Sequence, residues 1–173
     1  MYRTTVTLVL VALLLTVAAG CTEEARTTLK SKAIVRQGLD ALENQEYDRA
    51  SEFFADDFKR HCQATPDVEV NSLDEMIAFV KTWSEAFPDM KAEYHSVIAE
   101  GDLVAVYATY VGTHEAPMGD IPATGKVMES ETFGVFRIEN GKIAEAWVTW
   151  DNLAVMNQLG LMPSEAKESS GDI

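Results

Sequence analysis

Residues 126–151 read KVMESETFGVFRIENGKIAEAWVTWD, and two runs with the character of extended strands flank the dipeptide Asn140-Gly141. This dipeptide favours a type I′ turn, because both central residues of that turn need positive φ angles. A two-residue loop also sets the register of the hairpin, so that opposed side chains share a face. Four opposed pairs are predicted in this way: Ile138 with Ile143, Gly134 with Trp147, Thr132 with Thr149, and Ser130 with Asp151.

One face of the predicted hairpin changes from apolar to polar along its length. Ile138 and Ile143 lie near the turn, and Trp147 is expected to lie across Gly134 farther along. The far end carries four polar residues: Ser130, Thr132, Thr149 and Asp151. An apolar floor with a few convergent polar groups is typical of a pocket for a small molecule.

The opposite face of the hairpin has two interpretations that the sequence leaves open. It carries four large apolar residues: Phe133, Val135, Val148 and Trp150. This face would either pack against a second copy of the chain as a sheet-to-sheet dimer or form an outer core that the same chain covers. A homodimer is therefore one of two open expectations.

Outside the hairpin, the chain predicts helices first and strands later. The spacing of apolar residues indicates three helices: residues 29–44, 48–54 and 73–87. Either Asn71 or Ser72 is expected to cap the third helix. Two strands, residues 91–100 and 103–113, precede the hairpin, and a short helix over residues 151–159 follows it. This order predicts an α+β fold, with N-terminal helices packed on a curved antiparallel sheet around a conical cavity.

The first 20 residues differ in composition from the rest of the chain. They contain one charged residue, Arg3, and an apolar run that is short for a membrane-spanning helix and ends in small residues. The sequence therefore predicts an export signal over residues 1–20.

The cysteine that follows this segment is a candidate for lipidation. Residues 18–21 read AAGC, which resembles the lipobox of bacterial lipoproteins, except that leucine is more usual than Ala18. We expect acylation of Cys21, a polar tether over residues 21–28, and a location in the cell envelope, anchored to a membrane. The alternative is an ordinary signal peptide, which would leave Cys21 free to form a disulfide with Cys62.

The charge balance excludes several classes of partner. The chain carries 28 acidic and 14 basic side chains, for a formal net charge of −14. Without a basic stripe to neutralise phosphates, neither nucleic-acid binding nor electrostatic docking to anionic lipid is expected. About 150 residues suffice for one domain with its own core, which we place at residues 29–163. Residues 164–173 are polar and are expected to form a disordered tail.

Asp151 is the candidate catalytic carboxylate. An acid at the end of a strand, beside tryptophans and aliphatic side chains, would be partly desolvated, and its pKa would rise toward that of a general base. The alternative is structural, because Asp151 also stands where the N-cap of the last helix belongs. No metal site and no other cofactor is predicted, since His61, His95 and His114 lie on separate elements without the spacing of metal ligands.

Residues 61–163 resemble the SnoaL-like polyketide cyclase, or ester cyclase, family of the nuclear transport factor two-like superfamily. The resemblance rests on the order and spacing of short motifs: Phe87-Pro88-Asp89, Ala99-Glu100-Gly101-Asp102, Gly112-Thr113-His114, IPATGK at 121–126, FRIENGKI at 136–143, Trp147 with Asp151, and Gln158-Leu159-Gly160. It implies a cone-shaped α+β barrel with an apolar pocket. It also implies an intramolecular aldol closure that an acidic residue starts without a cofactor, and Asp151 is the residue similar to that acid.

The resemblance also suggests residues that line or support the pocket. His61 and His114 match family histidines and are interpreted as pocket or loop-positioning groups. The loop over residues 115–125 departs from the family pattern at Ala116, Asp120 and Ala123. This loop is expected to cover the mouth of the cavity, so the substrate is left open. The candidate pocket residues are His61, Trp83, Tyr107, His114, Ser130, Thr132, Trp147 and Thr149.

Three functions are compatible with these observations. The first is a lipid-anchored, cofactor-free acid–base catalyst with cyclase- or isomerase-like chemistry on a small hydrophobic carbonyl compound. The second is a lipoprotein that binds a hydrophobic small molecule without converting it, which export favours because polyketide intermediates are made in the cytoplasm. The third is a dimeric interaction module that uses the face with Phe133 and Trp150.

Overall fold

The computed structural model describes the backbone of residues 2–162 and the side chains of residues 23–162. The described chain contains these elements in order: α1 (Tyr2–Glu43), α2 (Tyr47–Phe53), β1 (Phe54–Cys62), α3 (Leu73–Ala86), β2 (Lys91–Glu100), β3 (Leu103–Thr113), β4 (Val127–Glu139), β5 (Lys142–Trp150) and α4 (Asn152–Gln158). This is the α+β order that the sequence predicts. Among residues 23–162, no helix is both long and apolar enough to cross a membrane.

The structure differs from the expectation at the N-terminal side of the domain. The segment 21–28, which was expected to be a polar tether, has a helical backbone and is part of α1. Within residues 23–162, Cys62 has no disulfide partner, and it is half-buried. The side chain of Cys21 and the tail at residues 164–173 lie outside the described residues.

Local signals explain the ends of α3. The side chain of Ser72 caps the helix by accepting a hydrogen bond from the backbone N–H of Glu75 at 3.2 Å. The Glu75 carboxylate in turn accepts one from the backbone N–H of Asn71 at 2.6 Å. Pro88 follows the C-cap residue Phe87, and a proline cannot continue a helix. Ser72 is thus the cap among the two predicted candidates.

The five described strands form one curved sheet in the order β1-β5-β4-β3-β2. Strands β2 to β5 pair in antiparallel fashion, as predicted. Strand β1 was expected only as a short extended segment over residues 57–61, but it is a nine-residue edge strand parallel to β5. The expectation of a purely antiparallel sheet is therefore wrong at this edge. The parallel pairing is open to β1 because α3 and β2 to β4 separate it from β5 and provide a long crossover.

The hairpin between β4 and β5 contains a bulge that the sequence analysis missed. Its turn is as predicted, since Asn140 and Gly141 have φ angles of 52° and 78°. Past the pair Ile138–Ile143, however, Arg137 pairs with Glu145 and leaves Ala144 without an opposed residue. The pairs beyond it are displaced by one position: Val135 with Trp147, Gly134 with Val148, Phe133 with Thr149, and Thr132 with Trp150. An extra residue exchanges the two faces of the strand, so the predicted pairs beyond the bulge are wrong.

The helices pack on one face of the sheet, which we call the inner face. It carries Val106, Ala108 and Tyr110 on β3, Ser130, Thr132, Gly134 and Phe136 on β4, and Ala146, Val148 and Trp150 on β5. Helix α1 approaches the sheet closely at Gly38, where a Cβ atom would lie 2.9 Å from Ile143 Cδ1. Helix α4 and its C-cap residue cover a second, smaller cluster through Val155 and Leu159, whereas Leu153 is exposed.

Candidate active site

A cavity of about 490 Å³ lies between the helices and the inner face of the sheet. This volume is within the usual range for sites that bind small molecules. Most of its wall is apolar, with Phe58, Met76 and Phe79 among the lining residues. The polar residues of the wall include Glu43, Arg60, Tyr110, Ser130 and Thr132.

Glu43 is the acidic residue among the described residues that line this cavity, and it is the last residue of α1. Its Oε1 atom accepts hydrogen bonds from the hydroxyl of Tyr94 and, at 3.0 Å, from the hydroxyl of Tyr110. Although Glu43 as a whole residue is exposed, burial of its carboxyl group raises its pKa, and the two tyrosine hydroxyls oppose that shift. The site thus holds a carboxyl group that takes up a proton more readily than an ordinary glutamate does.

Two charged residues on the preceding turns of α1, Arg36 and Asp40, act electrostatically on the Glu43 carboxyl group. Arg36, Asp40 and Glu43 are spaced by four and three residues, which puts them on one side of the helix. The Arg36 guanidinium pairs with Asp40 at 2.9 Å and lies 3.4 Å from the centroid of the Tyr94 ring. Burial raises the pKa of Tyr94 and of Tyr110, so both hydroxyls keep their protons and remain donors.

Arg60 is the buried cation of the cavity wall, with 6% of its surface exposed. Its Cζ atom lies 4.2 Å from the centroid of the Phe79 ring and 5.6 Å from that of Trp150. Its guanidinium contacts the Thr65 hydroxyl at 3.4 Å, and within residues 23–162 it has no carboxylate within 4 Å. Burial lowers the pKa of Arg60.

The structure places three of the predicted pocket residues on the cavity wall: Trp83, Ser130 and Thr132. The hydroxyl of Ser130 is buried and has no hydrogen-bond partner in the described chain. Ser130 lies opposite Tyr110 in the sheet, and Thr132 lies opposite Trp150. Tyr110, Ser130 and Thr132 thus form a polar band across an otherwise apolar floor.

Four other predicted pocket residues line a shallower groove on the opposite, outer face of the sheet: His61, Tyr107, Trp147 and Thr149. Trp147 and Thr149 are there because the bulge at Ala144 reverses the faces of β5. His61 and Tyr107 are there because they alternate with the inward residues of their strands. The prediction that these residues line the cavity with Ser130 is therefore wrong.

The outer face is rich in stacked rings. The rings of Tyr107 and Phe133 stack with centroids 4.5 Å apart, and those of His61 and Trp147 with centroids 5.4 Å apart. His61 Nε2 lies 2.7 Å from Glu145 Oε1. The hydrogen bonds from His61 and then from Arg137 lower the pKa of Glu145.

His114 supports the cavity from behind and does not line it. It is fully buried, its ring stacks on Phe87 at 5.0 Å, and its Nδ1 atom lies 3.2 Å from the Thr124 hydroxyl. Its backbone exchanges hydrogen bonds with Gly125 and Lys126. These contacts fix the loop over residues 115–125, which matches the loop-positioning alternative for His114 and not the pocket alternative.

Asp151 lies outside the lining of the cavity. Its carboxylate accepts a hydrogen bond from the backbone N–H of Ala154 at 2.9 Å, so that it is the N-cap of α4. The residue as a whole is exposed. The geometry favours the capping alternative, and the catalytic role of Asp151 stays a prediction.

Two of the sequence motifs, Phe87-Pro88-Asp89 and Gly112-Thr113-His114, contact each other through Asp89 and Thr113. The Asp89 carboxylate accepts two hydrogen bonds from Thr113, one from the backbone N–H and one from the hydroxyl, both at 2.7 Å. These bonds lower the pKa of Asp89. A Cβ atom on Gly112 would lie 3.3 Å from the Cα of Met90, so a larger residue would separate the two segments. Both motifs are thus structural in this protein.

No group of three His, Cys, Asp or Glu side chains within residues 23–162 is arranged to hold a metal ion. The ionisable groups of the cavity wall are instead Glu43, Tyr110, Arg60 and the exposed Lys91. They provide one proton-accepting group and one buried cation on opposite sides of the polar band.

Comparisons with known proteins agree with this architecture. The sequence profile of the SnoaL-like polyketide cyclases matches residues 32–159. A candidate SnoaL-like polyketide cyclase from Jannaschia sp. CCS1 is 23% identical, with a TM-score of 0.71 over 79% of this chain and 95% of that one. IdmH, a candidate polyketide cyclase from Streptomyces antibioticus, is 24% identical, with a TM-score of 0.65 over 75% of this chain and 98% of that one.

A more distant structure has the same fold. The LEH-like epoxide hydrolase of M. tuberculosis is 16% identical, with a TM-score of 0.62 over 78% of this chain and 92% of that one. At these identities the solved structures show the fold alone. The search of curated sequences found no match. The family profile spans most of the chain, from the last third of α1 to the end of α4. The protein therefore belongs to the SnoaL-like polyketide cyclase family.

Proposed function

We propose that the protein is a cofactor-free acid–base catalyst that acts on a small hydrophobic carbonyl compound by cyclase- or isomerase-type proton transfer. The observation that carries this proposal is the Glu43 carboxyl group, which two tyrosine hydroxyls hold at the wall of a mostly apolar cavity. Family membership supports a small-molecule role for the cavity.

In the proposed mechanism, Glu43 removes a proton from a carbon atom next to a carbonyl group. The C–H bond breaks, the proton goes to the carboxylate, and the electron pair forms an enolate. The raised pKa of Glu43 brings it closer to the pH at which a general base works best. The Ser130 hydroxyl, which has no hydrogen-bond partner in the described chain, donates to the enolate oxygen and stabilises it.

Two outcomes are open to this enolate. In a cyclase-type reaction, its carbon attacks a second carbonyl carbon of the same molecule, the π bond of that carbonyl breaks to give an alkoxide, and Glu43 returns its proton to the alkoxide oxygen. The apolar wall favours this closure by folding the substrate chain. In an isomerase-type reaction, Glu43 returns the proton to a different carbon atom. Neither route consumes an oxidant or a second substrate.

The test compares two carboxylates in the same assay. The assay follows exchange of the methyl protons of 2-acetylnaphthalene in deuterium oxide by NMR. We expect Glu43→Gln to lower the enzyme-dependent rate by about 100-fold or more, the usual contribution of a general base. Asp151→Asn is the matched control, because it makes the same carboxylate-to-amide change at the residue that the family resemblance favours.

The outcomes separate the candidates. A full rate in Glu43→Gln together with a lost rate in Asp151→Asn would transfer the role to Asp151. A wild-type rate no higher than that of buffer would contradict the catalytic proposal itself.

The second candidate function is binding of a hydrophobic small molecule without conversion. The apolar wall of the cavity favours it, and so does the predicted export of the chain. Native mass spectrometry of protein purified from its own host tests it, because a retained ligand that is released unchanged supports binding.

We also propose that the protein is exported and anchored to a membrane of the cell envelope through an acylated Cys21. The apolar segment over residues 1–20 and the AAGC sequence before and at Cys21 support this. The mass of the mature N-terminus tests it. An unmodified Cys21 in a disulfide with Cys62 would contradict lipidation.

A homodimer through the outer face is a further proposal. Ile98, Phe133 and Trp147 expose 63%, 51% and 40% of their surfaces there, and a grouped apolar surface of this kind is characteristic of interaction sites. Trp150, which was first assigned to this face, lines the cavity instead. We expect Trp147→Glu to convert a dimer into a monomer in analytical ultracentrifugation, and a monomeric wild type would contradict the proposal.

A further inference from the structure

We propose that the cavity selects ligands that carry a carboxylate, and that Arg60 is the group that binds it. The substrate class of the proposed function would then be hydrophobic carbonyl compounds with one anionic oxygen group. This inference rests on the proposed function in that it assigns the ligand to the same cavity.

Arg60 lacks a counter-charge among the described residues. Its surface is 94% buried, and no carboxylate of the described chain lies within 4 Å of it. Its side-chain contacts in this region are two aromatic rings, the hydroxyl of Thr65 at 3.4 Å and the sulfur of Cys62, none of which is a carboxylate. Buried charges in proteins are usually paired, because desolvation of an unpaired charge is costly. A cation of this kind facing a cavity therefore indicates an anionic ligand.

The hydroxyl of Ser130 is also unsatisfied. This residue is 8% exposed, lines the same cavity, and its Oγ atom has no hydrogen-bond partner in the described chain. A buried hydroxyl without a partner is costly unless a ligand or a water molecule completes its hydrogen bonds. Two polar groups of the wall, one charged and one neutral, are thus left for a ligand.

The sheet register orders these groups across the floor. Glu43 contacts Tyr110, which lies opposite Ser130; Thr132 lies two residues farther along β4 and opposite Trp150. The Trp150 ring in turn lies beside the Arg60 guanidinium. A ligand whose carboxylate pairs with Arg60 therefore extends over Ser130 and Thr132 toward Glu43, which would leave its reacting carbon at the acid–base end.

The chemistry of arginine fits a carboxylate in particular. A guanidinium presents N–H donors in a plane and binds both oxygens of a carboxylate at once. The rings of Phe79 and Trp150 keep the group in place and exclude water from it. A neutral ketone offers a single acceptor oxygen and no charge.

Calorimetric binding of two probes of equal size tests the inference. The probes are 2-naphthoate, which carries a carboxylate, and 2-acetylnaphthalene, in which a methyl ketone replaces it. At pH 7 we expect the wild type to prefer 2-naphthoate by about tenfold or more, since a hydrogen bond to a charged group contributes about 1.5–3 kcal/mol. Arg60→Met should bring the ratio close to one and keep 2-acetylnaphthalene binding, whereas Arg60→Lys should keep part of the preference.

The wild-type ratio needs no variant, so the test does not depend on whether Arg60→Met folds. A wild type that binds 2-acetylnaphthalene as tightly as 2-naphthoate would overturn the inference, as would a preference that survives in Arg60→Met. Binding of neither probe would overturn both the inference and the use of this cavity. Because Glu43→Gln should keep the preference, a failed exchange assay with an intact preference would contradict the catalytic proposal alone.

Discussion

Replacing Asp151 with alanine separates the structural role of this residue from a catalytic one. The carboxylate caps α4 through one hydrogen bond of 2.9 Å to the backbone N–H of Ala154. Helix α4 has seven residues and places Val155 on the cavity wall and Leu159 in a buried cluster with Phe87. Loss of the cap therefore acts on a short helix that closes one side of the cavity.

The expected magnitude follows from this single bond. Replacing an aspartate N-cap with alanine typically costs about 1 kcal/mol, whereas asparagine caps a helix about as well as aspartate. For a domain of this size, about 1 kcal/mol shifts the melting temperature by about 2–4 °C. We expect Asp151→Ala to melt about 2–4 °C below the wild type and Asp151→Asn to melt close to it.

Thermal unfolding followed by circular dichroism measures the effect, and Ser72→Ala, which removes the cap of α3, provides a matched control. The exchange rate of 2-acetylnaphthalene is measured on the same samples. Equal melting of Asp151→Ala and the wild type would refute the capping argument. A melting temperature of Asp151→Asn as low as that of Asp151→Ala would show that charge, and not the cap, is what matters.

Three further changes have defined outcomes. Gly38→Ala introduces a Cβ atom 2.9 Å from Ile143 Cδ1 and 3.0 Å from the Phe54 ring, so we expect urea unfolding to report a loss of about 1–3 kcal/mol. In Glu43, the folded pKa is raised, so the native state holds the proton more tightly, and the stability of the wild type relative to Glu43→Gln should fall as the pH rises from the ordinary glutamate pKa of about 4 through the raised one; a difference in melting temperature that stays constant would contradict this. In Asp89, the folded pKa is lowered, so its stabilisation is present above the ordinary pKa and is lost as the pH falls through the lowered one. The melting difference between the wild type and Asp89→Asn should therefore narrow in acid, and a difference that widens there would count against the Thr113 hydrogen bonds as its cause.

Local signals were sufficient to predict most of the secondary structure, although not the extent of β1 or of α1. The apolar spacing of α3, its Ser72 cap and the Asn140-Gly141 turn each depend on residues within a few positions of one another, and the structure has all three. Parallel pairing of β1 with β5 could not be predicted in this way, because its partners, such as His61 and Trp147, are far apart in sequence.

The bulge at Ala144 limited the prediction of the site. A turn fixes the register only as far as the first irregularity in the ladder, and so Ser130 and Thr132 were assigned correctly to one face while Trp147 and Thr149 were not. The structure buries both Ile143 and Ala146, which are three residues apart. Strict alternation would not place both of them inside.

Glu43 and Arg60 were missed for a different reason. Each is an ordinary charged residue in its own segment. Nothing in the neighbouring sequence distinguishes Glu43, the last residue of α1, from the other charged residues of that helix. Tyr94 and Tyr110 reach Glu43 only after two strands have paired, and the rings beside Arg60 come from α3 and β5. A site assembled from distant elements in this way carries no motif.

The bulge at Ala144 decides which residues of β5 face the cavity. If β5 paired with β4 without the bulge and kept all its residues, the ladder beyond Ile143 would shift by one position, turning Trp147 and Thr149 inward and Val148 and Trp150 outward. Deletion of Ala144 would instead remove the bulge and keep the pairs Arg137–Glu145 and Val135–Trp147, so the same residues would still line the cavity. The wall of the cavity therefore tolerates the loss of this residue, whereas a change that flattens the bulge at constant length would replace the whole column of residues that β5 contributes.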